Sequence, residues 1–315
     1  MRVIDHLEKA QETLFSFEII PPARGRSARE ILDIVEQVQQ FNPPFIDVTS
    51  HSAEANYEEH SDGSVIRRIR RKRPGTLSIC GIIQNRYNID TVAHLLCRGF
   101  TKEESEDALI ELNYLGIHNV LAVRGDEVNF RKRYSPDKTH NQYATDLVEQ
   151  IQNLKRGQYL EELINAEPIN MCVGVGGYPE KHYEAPNIKE DIRRLKMKVE
   201  AGADYIVTQM FFDNLVYFKF VERCRQEGIQ VPIIPGIKIL DTEKQLSSLP
   251  RKFHITLPEA LVDEVTHHPE QVKKIGVSWC IEQVRELAHQ GVPNIHFYIM
   301  NDAALALKVI KGFRG

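Results

Sequence analysis

Asn119-Val120-Leu121-Ala122-Val123-Arg124-Gly125-Asp126 is an apolar run that stops at an arginine, a glycine and an aspartate. The apolar lead-in reads as a buried strand ending in a tight turn, which excludes an exposed Arg-Gly-Asp adhesion loop. Two other runs end in the same manner. Phe15-Ser16-Phe17-Glu18 runs into Pro21-Pro22, and Thr208-Gln209 leads into Met210-Phe211-Phe212-Asp213. Each places a carboxylate or amide where a buried strand ends, and in a barrel of parallel strands that end carries the chemistry. These features span nearly the first two thirds of the chain, so a closed α/β architecture is what makes them neighbours.

Working outward, strand-like runs occur at 13–20, 45–50, 91–97, 119–124, 170–175, 205–210, 231–237 and 294–300. Between them, 27–40, 102–115, 188–201 and 215–226 carry apolar residues at three- and four-residue steps, the period of amphipathic helices. Gly116, Gly202 and Gly228 mark helix exits. Eight strands alternating with helices predict a parallel (β/α)8 TIM barrel. The segment 77–83 reads either as a helix or as an extra strand. Two connections, 127–141 and 240–271, are enlarged; long loops of this kind act as lids or binding loops, or are surface insertions.

The 315 residues are 42% hydrophobic and 27% charged, with a formal net charge of −4. That balance gives no global field for nucleic acid or an anionic membrane. The one dense basic cluster, Arg67 to Arg73, reads as cations at the C-terminus of a helix beginning near Asp62. Five scattered cysteines have no CxxC spacing, so neither a disulfide framework nor a zinc site is indicated. His267-His268 is adjacent rather than helically spaced, and no metal site is expected. No long apolar segment suggests a signal peptide or membrane span, so a cytoplasmic location is expected.

Glu18 sits between Phe17 and Ile19 and is followed by two prolines. Desolvation there would make it hold its proton to higher pH, the property of a general acid near neutrality; the alternative is a strand glutamate paired with a cation. Arg124, Gly125 and Asp126 suit a phosphate-bearing cofactor, or else an ion pair on the barrel rim. Gly174-Val175-Gly176-Gly177-Tyr178-Pro179 fails as a dinucleotide fingerprint because Pro179 stands where the last glycine belongs. Asp191, Arg194 and Lys198 share helical spacing, the mark of a salt-bridged face; with His182 they could instead grip a ribose and diphosphate. Gln209 can hydrogen-bond a heterocycle, with Phe211-Phe212 offering stacking surface or simply core.

Taken together, the order of these segments resembles the methylenetetrahydrofolate reductases. The resemblance rests on Glu18 before Pro-Pro, Thr49, Ala93-His94-Leu95, Leu121 to Asp126, Tyr143-Ala144-Thr145-Asp146-Leu147, Tyr178-Pro179-Glu180 with His182, Thr208-Gln209 with Phe211-Phe212-Asp213, Ile234-Pro235-Gly236-Ile237 and His296-Phe297-Tyr298. It covers nearly the whole chain. It implies a single FAD-binding barrel over 1–315 without a regulatory domain, acting in one-carbon metabolism. It further implies ping-pong hydride transfer from NADH or NADPH through FAD to 5,10-methylenetetrahydrofolate, and a homo-oligomer. In that scheme Glu18 protonates folate N10, Asp126 tunes the flavin and stabilises developing positive charge, and Gln209, assisted by Gln245, orients the substrate. The flavin-holding positions that match are Thr49, His94, Arg124, Gly125, Asp126, Ala144, Tyr178, His182, Asp191 and Lys198. Leu96, Arg194, Met197, Leu249 and Asp302 depart from the family pattern. A related pterin reductase with another electron donor, or a non-catalytic flavin- or folate-binding barrel, are the alternatives.

Overall fold

The structure, a computed structural model, describes residues 1–125 and 139–315. Its strands in chain order are β1 (Leu14–Ile19), β2 (Phe45–Val48), β3 (Glu54–Glu59), β4 (Val65–Arg70), β5 (Asp90–Leu96), β6 (Asn119–Val123), β7 (Cys172–Gly177), β8 (Tyr205–Thr208), β9 (Ile233–Ile234), β10 (Gly236–Ile237) and β11 (Asn294–Met300). Around them lie α1 (Val3–Lys9), α2 (Arg29–Gln39), α3 (Thr76–Tyr87), α4 (Lys102–Tyr114), α5 (Ala144–Leu154) and α6 (Ile188–Glu200). The remainder are α7 (Asn214–Gln226), α8 (Gln245–Phe253), α9 (Glu259–His267), α10 (Val272–His289) and α11 (Ala304–Arg314).

All strands except β3 and β4 form one parallel sheet in the order β10-β11-β1-β2-β5-β6-β7-β8-β9. β9 and β10 flank Pro235, which has no N–H to donate. Ile234 pairs with Val207 of β8, while Gly236 pairs with His296 of β11. The short run 233–237 therefore joins the two ends of the sheet, giving eight staves. The predicted parallel (β/α)8 barrel is the observed fold.

Strand alternation sorts the side chains. Phe15, Phe17, Ile19, Ile46, Val48, Ala93, Leu95, Val120 and Ala122 belong to the large core beneath the helices. The intervening Phe45, Val92, Leu121, Cys172, Tyr205, Val207 and Ile234 form a separate cluster with Val3 and Leu7 of α1. With a period of two, Glu18, Asp47 and His94 share the parity of that inner set. α1 closes the N-terminal end: the Val3 amide donates to Asn119 Oδ1 at 2.8 Å, and Asn119 Nδ2 donates to the Met1 carbonyl at 3.0 Å. On the outside, α2 buries Ile31, Ile34, Val35 and Val38 at helical spacing. α4 begins with a reciprocal cap, Thr101 Oγ1 accepting from the Glu104 amide at 3.1 Å and Glu104 accepting from the Thr101 amide at 2.7 Å.

One sequence reading is corrected. The basic run is not the tail of a helix; β3 and β4 form an antiparallel hairpin, with Asn56 paired to Arg68 and Glu59 to Val65. Asp62-Gly63 lies at its turn, where Gly63 takes φ +76° and the Ser64 amide donates to Asp62 Oδ1 at 2.9 Å. An Asp-Gly turn followed by Val65, Ile66 and Ile69 favours a hairpin over a helix tail. Arg68 pairs across the hairpin with Glu58 at 2.8 Å. Of the two readings of Phe211-Phe212, core is the observed one: they are buried in two different cores. Of the two open readings, 77–83 is helical within α3. The enlarged 240–271 connection folds as α8, α9 and a short 3-10 turn, with Leu249, Ile255, Leu257 and Leu261 packed against Met210 and Phe212. Asp126 and residues 127–138 of the other enlarged connection lie outside the described residues.

Close packing at the barrel's seventh stave yields a stability prediction. A Cβ on Gly236 would stand 2.3 Å from the Thr208 carbonyl oxygen and 2.5 Å from the Tyr298 ring. Backbone cannot yield as a flexible side chain does. Gly236→Ala is therefore expected to cost about 3 kcal/mol, measured as a lower midpoint of urea unfolding.

Candidate active site

At the C-terminal half of the barrel, two carboxylates meet one imidazole. His94 Nε2 is 3.2 Å from Asp47 Oδ2 and 3.6 Å from Glu18 Oε2. The three residues come from adjacent staves β1, β2 and β5, with Glu18 in register with Asp47. All three are buried. Burial pushes the Glu18 carboxyl up to about 7; the His94 charge opposes that, Asp47 reinforces it, and Lys238 opposes it. For His94, burial alone would lower the pKa, but the hydrogen bond it donates to Asp47 and the charges of Glu18 and Asp47 outweigh it and raise it. The result is a carboxyl that can be protonated near neutrality beside an imidazole that favours its charged form.

Above this centre, the Tyr298 hydroxyl donates to the Thr208 carbonyl at 2.6 Å, and Lys238 Nζ donates to the Tyr298 carbonyl at 3.2 Å. Lys238 is lowered by burial, with Asp241, Asp302 and Glu18 opposing the shift. Gln209 follows β8, its amide donating to the Gly177 carbonyl at 2.8 Å and its Oε1 accepting from the Met210 amide at 2.9 Å. Its Nε2 end is thus the part available to a ligand. Gln245 opens α8 and accepts from the Asp241 amide at 2.9 Å.

The ends of β6 and β7 carry a second constellation. Arg124 forms a 2.6 Å ion pair with Glu184, and Arg98 approaches the same carboxylate at 3.9 Å. The Arg124 hydrogen bond holds Glu184 down at about 2. Lys198 on α6 donates to the Gly176 carbonyl at 2.6 Å, and burial pushes its amine down to about 8. Asp191, one face of the same helix, accepts from the His182 amide at 2.8 Å. Arg194 instead turns outward to Glu190 at 3.2 Å, so the three evenly spaced charges divide between rim and solvent. The His182 ring lies edge-on to Tyr178, with centroids 4.6 Å apart, and tilted against Tyr183. Burial lowers His182, so it presents a neutral ring among cations. Gly125 has φ +86°, and Ala144 is the first residue of α5. Thr49, at the end of β2, shares a 3.1 Å hydrogen bond with His51.

Two cations, a neutral imidazole and phenol rings on one rim match the needs of a flat ring system carrying a diphosphate. The donor set therefore fits a flavin dinucleotide. The sequence names Glu18, His94, Arg124, Lys198 and His182, which the structure places in these two groups, but not Asp47, Lys238, Tyr298 or Glu184 as site residues. Asp47 was visible only as one acidic residue between Ile46 and Val48, and Glu184 as one of several glutamates around an Ala-Pro turn.

Comparison with known proteins places these residues in a family context. A family model described as methylenetetrahydrofolate reductase matches residues 2–313. The probable methylenetetrahydrofolate reductase (NADPH) of Caenorhabditis elegans is 29% identical over 98% of this chain and 43% of its own length. The methylenetetrahydrofolate reductase (NADH) 1 of Arabidopsis thaliana is 29% identical over 98% of this chain and 50% of its own. The chain spans about half the length of these relatives. The 5,10-methylenetetrahydrofolate reductase of Pectobacterium carotovorum is 28% identical, with 93% of this chain and 88% of the relative covered. Among solved structures, an uncharacterized Clostridium thermocellum protein that binds two copies of 5-methyl-5,6,7,8-tetrahydrofolic acid superposes with a TM-score of 0.58. It is 13% identical, covering 99% of this chain and all of that one, a likeness of fold.

Proposed function

Because this chain belongs to the methylenetetrahydrofolate reductase family, we propose that it reduces 5,10-methylenetetrahydrofolate to 5-methyltetrahydrofolate with FAD as cofactor and NADH or NADPH as reductant. The observation that carries this reading is Glu18, a buried carboxyl pushed up to about 7 inside the catalytic end of the barrel. Ring opening of the substrate requires a proton on folate N10, and an acid of that strength is matched to the task near neutrality. Glu18 gives its proton to N10, converting the five-membered ring into an iminium electrophile.

Lys198 and Arg124 would hold the cofactor diphosphate, with Tyr178, His182, Thr49, Gly125, Ala144 and Asp191 shaping the cradle. His94 would contribute where the two constellations approach each other. When bound, FAD supplies the capacity to accept hydride from the nucleotide and pass it to the methylene carbon. Gln209 orients the pterin through its amide, assisted by Gln245. Asp126, next in sequence to Gly125, is assigned the electrostatic role at the flavin and pterin on its sequence position.

The test is a pair of anaerobic half-reactions on protein reconstituted with FAD. NADH and NADPH are each expected to bleach the flavin band or to be distinguished by doing so singly. Adding methylenetetrahydrofolate is expected to restore the band with methyltetrahydrofolate formed. No bleaching with either nucleotide would point to another electron donor. Bleaching without recovery would overturn the folate assignment.

A further inference from the structure

The partner of His94 is more unusual than its catalytic neighbour. Asp47 is fully buried, yet only one of its oxygens is engaged: Oδ2 faces His94, whereas Oδ1 has no hydrogen-bond partner among the described residues. A carboxylate retained for structure would have both oxygens satisfied, because burying an ion costs several kcal/mol unless its partners compensate. Its other neighbours do not supply that compensation. Tyr205 of β8 and His296 of β11 both feel the Asp47 charge, yet the Tyr205 hydroxyl and His296 Nε2 are without partners among the described residues. His296 Nδ1 is committed to Ser16 Oγ at 2.8 Å. Cys80 of α3 also feels the charge and is a buried thiol with no proton to lend near neutrality. Among the described residues, His94 is thus the side chain that Asp47 hydrogen-bonds.

We propose that Asp47 is a positioning residue for the proton donor: it holds His94 with Nε2 between the two carboxylates, so that the His94–Asp47 pair stabilises the Glu18 carboxylate left after proton donation. The inference rests on the reading of Glu18 as the acid. In the step concerned, the Glu18 O–H bond breaks, the proton passes to the substrate nitrogen, and the electron pair stays on the Glu18 carboxylate. His94 remains protonated throughout and nothing is oxidised or reduced. Glu18 recovers its proton before the next turnover.

The charged and titratable groups facing Glu18 are His94 from β5, Asp47 from β2, Lys238 beyond β10 and Tyr298 from β11. The His94 influence on Glu18 exceeds that of Asp47. Asp47→Asn removes the charge that keeps His94 protonated. Glu18 then loses its strongest stabilising cation, and the loss outweighs the direct relief of carboxylate repulsion. The variant is expected to hold the Glu18 proton to higher pH and to deliver it more slowly.

The decisive measurement is infrared titration of the Glu18 carboxyl in the full chain, with a matching Glu18→Gln sample subtracted as reference. Asp47→Asn is expected to move the midpoint upward by roughly one pH unit. Single-turnover reduction of methylenetetrahydrofolate by the same variant is expected to fall about tenfold to a hundredfold. A midpoint unchanged from the parent protein would overturn the proposal, since a merely structural Asp47 would not govern that titration. If Asp47→Asn does not fold, His94→Gln tests the same coupling and is expected to shift the midpoint in the same direction; an unchanged midpoint there overturns it equally. The titration needs no substrate, so it stands apart from the half-reaction experiment that tests the folate assignment.

Discussion

Glu18→Gln is expected to slow methylenetetrahydrofolate reduction by about 10²- to 10⁴-fold, while reduction of the bound flavin by nucleotide keeps most of its rate. Glutamine preserves the shape of the side chain and can still hydrogen-bond, but it has no acidic proton to give. The effect is large because, among the described residues, no second acid is placed to substitute. Asp47 lies behind His94 rather than ahead of Glu18, and Lys238 is engaged with the Tyr298 carbonyl. The same chemistry fixes the sign of the pH dependence in the parent protein. Glu18 holds its proton up to about 7, so the folate half-reaction should lose rate as pH rises through that value. Single-turnover flavin reoxidation between pH 6 and 9 measures both effects. An unchanged rate in the variant would remove Glu18 from the acid role.

The second large effect concerns stability rather than rate. Glu18 rises from an ordinary 4.5 to about 7 on folding. The folded chain therefore binds this proton more tightly than the unfolded chain, and its stability must fall as pH climbs from about 4.5 through 7. The difference of about 2.5 pH units corresponds to about 3 kcal/mol. Glu18→Gln cannot ionise, so its stability relative to the parent should improve by about that amount between pH 4 and pH 8. His94, also held more tightly by its proton in the folded state, gives a slope of the same sign that persists in the variant. Urea unfolding of both proteins at the two pH values checks this. A constant difference between them would mean that Glu18 is not perturbed by burial.

Glu18 could be singled out from sequence for a specific reason. Phe17 and Ile19 mark the wall of a strand, so the residue between them faces the other way, and in a closed barrel that way is inside. The same logic located all eight staves, including the short run around Pro235. It did not reveal Asp47, because a lone aspartate between Ile46 and Val48 carries no sign of what it faces across the barrel. The Arg124–Glu184 pair was equally hidden, as its partners are sixty positions apart and meet through loops. Reading the basic run as a helix tail misled because a short charged segment has no core to enforce a helix; the Asp62-Gly63 turn decided the matter locally. For Asp126 the sequence remains the guide, as it lies outside the described residues.

The plug formed by α1 gives the barrel one blind end. With Val3 and Leu7 packed beneath Phe45, Leu121 and Tyr205, the described residues close that end, and a ligand reaching Glu18 would enter from the opposite, C-terminal rim. On the proposed reading of Glu18 as the acid, a substrate seated over it would cover the route by which the carboxylate is reprotonated, so product release would have to precede recharging.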